Sequence, residues 1–396
     1  MMKAKTSTLT LFWIIAMTLS FAIFLLASMN GGYEGEQSKF FYDRGHWFLS
    51  DFSAPCAYVE DLNPYQAEIA AADRILPPLG FAMLYPFARI IKDAPSTTRN
   101  VWGAIYLTWC SIALFYTCQA SYQGSKKLRF LALFPLFFSS VFLFALERGN
   151  VVILSVAFTF FFLRFYQSEQ PFLKHAAFIS LAVAAGMKVY PALFGVLLLY
   201  EKRYRDAFIL LLYGLVIAML PILFFEGGVL ENLMAYLSNL ALHAAKYKHR
   251  IYARFGLPYV GQPWYYTYFR ALNLLSYVFT AMSLVFLPFY QRKWQKILVL
   301  CCILVLMPVS SVLYNGVYLL PVVMMILSDK ERRLIDFVYV GLFVAMFAPY
   351  RLPLIGEQQS NYCLILIWLL LLAEGGLGFL RWWKERSANH RSGTVV

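Results

Sequence analysis

Four groups of polar residues in an otherwise apolar chain have the types and spacing that chemistry needs. In Gly186-Met187-Lys188-Val189-Tyr190-Pro191, a lysine interrupts a long apolar stretch and Pro191 disfavours a continued helix. An ionisable group at membrane depth is costly and marks a partner or a ligand. The Lys188 ammonium suits a lipid phosphate or pyrophosphate, with Tyr190 beside it; the competing reading is a structural pair with an acid such as Glu147. The second group is Leu146-Glu147-Arg148-Gly149-Asn150, a turn with a glycine at its bend. Arg148 offers a planar fork for phosphate or carboxylate, and Asn150 both donates and accepts. Its plain alternative is a charged helix end with an Arg148–Glu147 pair.

The third group is the segment 38–80, where Asp43, Asp51, Glu60, Asp61, Glu68 and Asp73 alternate with aromatic residues such as Phe40, Trp47, Phe52, Tyr58 and Tyr65. A solvated tether has no use for those aromatics, so the segment lies against bilayer or protein. One carboxylate suffices as general base on a hydroxyl; otherwise these acids solvate the loop or pair with Arg44 and Arg74. The fourth group, Lys246, Lys248, His249, Arg250 and Arg254, is threaded with aromatics and follows ENLMAYLSNLALHAA, whose apolar spacing predicts an interfacial amphipathic helix. Such a cluster stabilises an anionic leaving group or attracts anionic headgroups.

The elements that must position these groups are membrane spans. Of 396 residues, 61% are hydrophobic and 14% charged, against roughly 45–50% and 25% in soluble domains. This excludes an ordinary soluble enzyme. The net charge of +13 sits between apolar runs, where Lys and Arg act as topology signals rather than as a nucleic-acid surface. Five of the six cysteines fall within apolar runs and Cys56 in a polar loop, which gives no disulfide or zinc framework. No nucleotide-binding glycine motif is present. Apolar runs begin at Leu9 and near Val101, Leu128, Val151, Phe172, Val189, Ala207, Thr267, Ile297, Val317, Leu334 and Cys363, about twelve spans in one all-α integral membrane domain, 1–396.

The basic loops Glu201–Arg205, Arg292–Lys296, Lys330–Arg333 and the tail 381–396 are expected in the cytoplasm with both termini. Segments 30–100, carrying interfacial helices, and 227–263 then face outward. Gly80–Ile91 either spans, which buries Lys188 mid-helix, or lies flat, which brings Arg148 and Lys188 to the outer surface. The flat placement is favoured.

Taken in order, DFSAPCAYVEDLNPY (51–65), RILPPLGFAMLYPFA (74–88), LERGNVVIL (146–154) and AAGMKVYPALFGVLLLYEKRYRDA (184–207) resemble glycosyltransferase family 87 over about residues 40–330. The resemblance implies a GT-C-like membrane fold. It also implies an inverting transferase, often a mannosyltransferase, that takes a sugar from a polyprenyl-phosphate donor to a membrane-associated or cell-envelope glycan at the outer boundary of the plasma membrane. A first-loop aspartate would be the base: Asp51, with Asp43 as second choice. Arg148, Asn150, Lys188, Tyr190, Lys248, His249, Arg250 and Arg254 would bind substrate, with Asp43 if it is not the base. No metal or cofactor is called for, and the lipid-linked sugar is substrate. Tyr314 stands where relatives often carry a histidine. The rival is a flippase for a lipid-linked saccharide; a polysaccharide polymerase or ligase is disfavoured by the early position of the long loop.

Overall fold

The computed structural model describes residues 6–29, 48–66, 70–247, 254–260, 265–308, 311–351 and 358–391. These are helical apart from connecting turns and one isolated antiparallel bridge, Arg254 to Val312. Five helices are long and apolar enough to cross a membrane: Thr8–Met29, Ser96–Ser121, Tyr204–Phe224, Thr267–Phe289 and Gln359–Ser387. The pair Lys126–Phe138 and Ser140–Arg148, bent by 56°, adds a sixth if it counts as one span. The expected twelve spans are therefore not shown.

The difference lies in helix length. Val152–Phe165 and Leu334–Phe347 have 14 residues each, about 21 Å at 1.5 Å per residue, against a hydrocarbon core of about 30 Å. Prolines are one cause. Pro135, Pro191, Pro221, Pro288 and Pro321 each open a tight or short helical segment, because a proline cannot donate the hydrogen bond that would continue the preceding helix. The short helices survive by packing inward. Lys293–Leu306 is buried along its whole apolar length and packs with Leu320–Ser328. The long helices ring this core and present Phe208, Leu211 and Leu215 outward, as residues meant for lipid do.

Contacts sort the chain onto two ends of the bundle. At one end Arg164 donates to the Ala120 carbonyl (2.9 Å), Lys174 pairs with Asp206 (3.3 Å), and Lys293 donates to the Leu163 carbonyl (3.1 Å). Tyr166 bonds Glu201 at the same end (2.7 Å). Arg292 Nη1 lies 2.8 and 3.0 Å from the two carboxylate oxygens of the fully buried Asp336, and Glu374 accepts from Gln295 and Tyr339 and pairs with Arg333. Thr10 joins by a bond to the Leu327 carbonyl (3.2 Å). Three of the basic loops thus share one face, together with the start of the first helix.

The opposite face carries Met29, Ser96 and Arg148, one helix away from that basic end. The chain leaves the basic end through Thr8–Met29 and returns to it through Ser96–Ser121, so Pro78–Ile91 ends on the face where it began. There it packs on Ser50–Val59 and against Gly186, and Lys92 just beyond it pairs with Glu60 (2.9 Å). Phe172–Tyr200 is likewise not one helix. Pro171–Met187 stops at Lys188, whose backbone is extended, and the short helices Tyr190–Gly195 and Val196–Tyr200 run back to the basic end.

Removing one member of a buried ion pair strands the other, which costs about 3–5 kcal/mol. Asp336→Ala is expected to lower the thermal unfolding midpoint in detergent clearly. An unchanged midpoint would show that Asp329, 3.6 Å from Arg292, carries the charge alone.

Candidate active site

The site is built where two helix ends meet. Helix Ser140–Arg148 ends at Gly149, whose φ of +66° is the left-handed conformation that closes many helices. A β-carbon there would lie 2.9 Å from Phe52 Cβ, so the glycine answers both to the turn and to the close approach of Ser50–Val59. The two helices are tied by Leu49 N–H donating to the Glu147 carbonyl (2.7 Å). Asp51 then falls in the first turn of its helix, where the helix dipole favours a negative charge.

Arg148 and Asn150 flank the glycine and converge on that carboxylate. Arg148 Nη2 lies 2.5 Å from Asp51 Oδ1, and Asn150 Nδ2 donates to Oδ2 at 2.6 Å. Asn150 is held in turn by Val152 N–H donating to its Oδ1 (2.9 Å), the bond that starts the next helix. The Arg148–Glu147 pairing considered from the sequence gives way to Arg148–Asp51, with Glu147 a more distant charge.

Lys188 enters from the break after Pro171–Met187. Its Nζ stands 5.8 Å from the centre of the Tyr314 ring, and the acid whose field it feels is Asp51, not Glu147. Among the described residues no hydrogen bond or ion pair holds this ammonium. Tyr314 stacks on Phe144 (6.0 Å between centroids, planes 13° apart) and lies in the field of Asp51, Arg148, Tyr190 and Arg254. Arg254 is buried between the rings of Tyr247 (5.7 Å) and Tyr259 (5.8 Å).

Helix Val229–Tyr247 forms a wall beside this cluster. Its exposed side carries Leu230, Met234, Leu237 and Leu242, while Asn232, Asn239 and His243 face inward, the arrangement of a helix lying at a lipid surface. Asn239 donates to the Tyr65 carbonyl (3.1 Å), and His243 Nδ1 meets the Ala72 carbonyl (2.7 Å). Asp73 takes Lys246 at 2.9 Å and Tyr247 at 2.5 Å. Burial alone would raise the Asp73 carboxyl; hydrogen bonds from Tyr247 and Lys246 with nearby positive charge outweigh it and hold the group below its ordinary value. Burial also holds the His243 imidazole below its ordinary value, against the pull of its bond to Ala72 and the Asp73 charge.

Residues 75–257 match the model of glycosyltransferase family 87. Over that stretch the resemblance to this family of membrane glycosyltransferases read from the sequence is shown. No curated protein and no solved structure matches it. The family 87 stretch contains Arg148, Asn150, Lys188, Tyr190 and Arg254, while Asp51 and Tyr314 lie on either side of it.

Of the residues singled out in the sequence, the structure gathers Asp51, Arg148, Asn150, Lys188, Tyr190 and Arg254 around Tyr314. Asp43, Lys248, His249 and Arg250 lie outside the described residues. No group of three or more metal-ligating side chains occurs among the described residues. The sequence reading passed over His243 and treated Asp73 as one loop acid among several. The signal available was the polar stripe Asn232, Asn239, His243 on a helix whose other side is apolar.

Gly149→Ala is expected to cost about 1–3 kcal/mol through its left-handed φ and contact with Phe52. It should lower the unfolding midpoint and the transferase activity together. Wild-type values for both would show that the turn tolerates a side chain and does not set the site.

Proposed function

We propose that this protein is a family 87 enzyme, an inverting glycosyltransferase that moves a sugar such as mannose from a polyprenyl-phosphate donor to a membrane-associated or cell-envelope glycan. The reaction takes place at the extracytoplasmic face of the plasma membrane. The observation that carries this reading is Lys188, a cation with no hydrogen bond or ion pair among the described residues and within the field of the Asp51 carboxylate, at the end of the bundle opposite the basic loops. Lys and Arg are retained in cytoplasmic loops, so the basic end with the first helix's start is inside and the site is outside.

In this mechanism Asp51 is the base. A carboxylate oxygen has two lone-pair directions, and Arg148 and Asn150 take one on each oxygen, which leaves the others for an acceptor hydroxyl. The hydroxyl oxygen attacks the anomeric carbon from the side opposite the phosphate and passes its proton to Asp51. The bond from that carbon to the phosphate oxygen breaks, and its electron pair leaves with the lipid phosphate. Lys188 and Arg254 stabilise the charge that develops there, with Arg250 and its neighbours as further candidates. Tyr190 and Tyr314 shape the space between base and leaving group.

One observation favours a second reading. Both Asp51 oxygens are already bonded, as in a structural clamp, and the same cations would then hold a lipid-linked saccharide for translocation without bond cleavage.

The readings part on one substitution. Asp51→Asn should fold normally and lower turnover by about 10²–10⁴-fold, the usual worth of a general base, when purified protein in nanodiscs is assayed for sugar transfer. Near-normal turnover would remove Asp51 from the chemistry. Lys188→Ala should raise the donor KM about tenfold, roughly 1.4 kcal/mol, and leave the acceptor KM unchanged. Equal effects on both substrates would make Lys188 a structural charge.

A further inference from the structure

His243 is a half-buried base that the mechanism above does not use. A carbonyl oxygen only accepts, so the 2.7 Å contact to Ala72 places the proton on Nδ1 and leaves Nε2 with a bare lone pair. That nitrogen is sealed from solvent and has no hydrogen-bond partner among the described residues. Leaving a buried acceptor unmet costs about 1–3 kcal/mol, and such an orphan needs a reason.

The surroundings supply one. The charges that reach the imidazole are Asp73 on the turn below it, Arg254 from the segment beyond its own helix, and Lys188 from the break in the opposite wall. Two of these are the cations proposed to hold the donor phosphate. A phosphate oxygen has no proton to give to a lone pair. A sugar hydroxyl next to that phosphate does.

We propose that His243 is a substrate-binding residue whose Nε2 accepts a hydrogen bond from a hydroxyl of the donor's sugar, beside the phosphate held by Lys188 and Arg254. The proposal rests on the polyprenyl-phosphate donor reading. Because Nε2 is enclosed, the side chains around it shift as the hydroxyl arrives; the Tyr247 ring, 4.5 Å from the imidazole and one turn along the same helix, is the neighbour on its own helix. The tautomer is fixed by backbone, so the acceptor is already oriented when the sugar arrives.

The test measures binding without requiring turnover. Wild type, His243→Asn and His243→Gln in nanodiscs are titrated with two probes: a short-chain polyprenyl phosphate, and the same lipid carrying mannose or glucose. Asparagine can keep the contact to Ala72 while deleting the ε nitrogen, and glutamine reaches the ε position. His243→Asn should bind the glycosylated lipid at least tenfold more weakly and the bare lipid as wild type does, with His243→Gln recovering part of the loss. Equal weakening toward both lipids, or none toward either, would overturn the proposal and leave the donor reading standing. A wild-type protein that binds neither lipid would overturn the donor reading and the proposal with it.

Discussion

A carboxylate at the edge of a hydrocarbon layer survives only with partners, and the meeting of Asp51 with Arg148 and Asn150 is the constraint on which this end of the molecule depends. Both partners flank Gly149, so the turn that ends one helix and starts the next also delivers the two donors. The glycine is forced by its φ and by the approach of Phe52. Ion pair, helix ends and turn are thus parts of one junction, so a side chain added at Gly149 is felt at the ion pair.

The same rule of paired charge organises the rest of the bundle. At the basic end Arg292, Arg203 and Glu374 are each satisfied by residues from other segments or by the adjoining turn, which locks the loops between helices. At the other end Lys188 meets, among the described residues, only the Tyr314 ring and the field of a more distant carboxylate. Arg203, Arg292 and Arg333 at the basic end each pair with a carboxylate, and Lys188 has no such pair among the described residues. That contrast separates the two ends more clearly than composition does, since both carry arginine and tyrosine.

Much of this was legible in sequence, for physical reasons. Lys188 before Tyr190-Pro191 announces a broken helix, because a charge and a proline both oppose a continuous span, and the helix does stop there. Arg148-Gly149-Asn150 announces a turn with two donors. Their target was not legible from spacing: Asp51 lies 97 positions before Arg148, and only packing brings the two together. Twelve spans are not shown, for a related reason: many apolar runs form helices shorter than a full span and are buried by neighbours, which a run of apolar letters does not announce. His243 was missed because a lone histidine gives no pattern; its meaning comes from the Ala72 carbonyl, 171 positions away.

The central claim is that this junction breaks a sugar–phosphate bond rather than carrying an intact lipid. The most direct measurement supplies purified protein in nanodiscs with a panel of polyprenyl-phosphate sugars and a membrane glycan extract. Mass spectrometry then follows both the released polyprenyl phosphate and the gain in glycan mass. The account predicts that the two rise one for one with a single donor from the panel. Movement of the intact lipid-linked sugar across the bilayer, with no phosphate released, would contradict it.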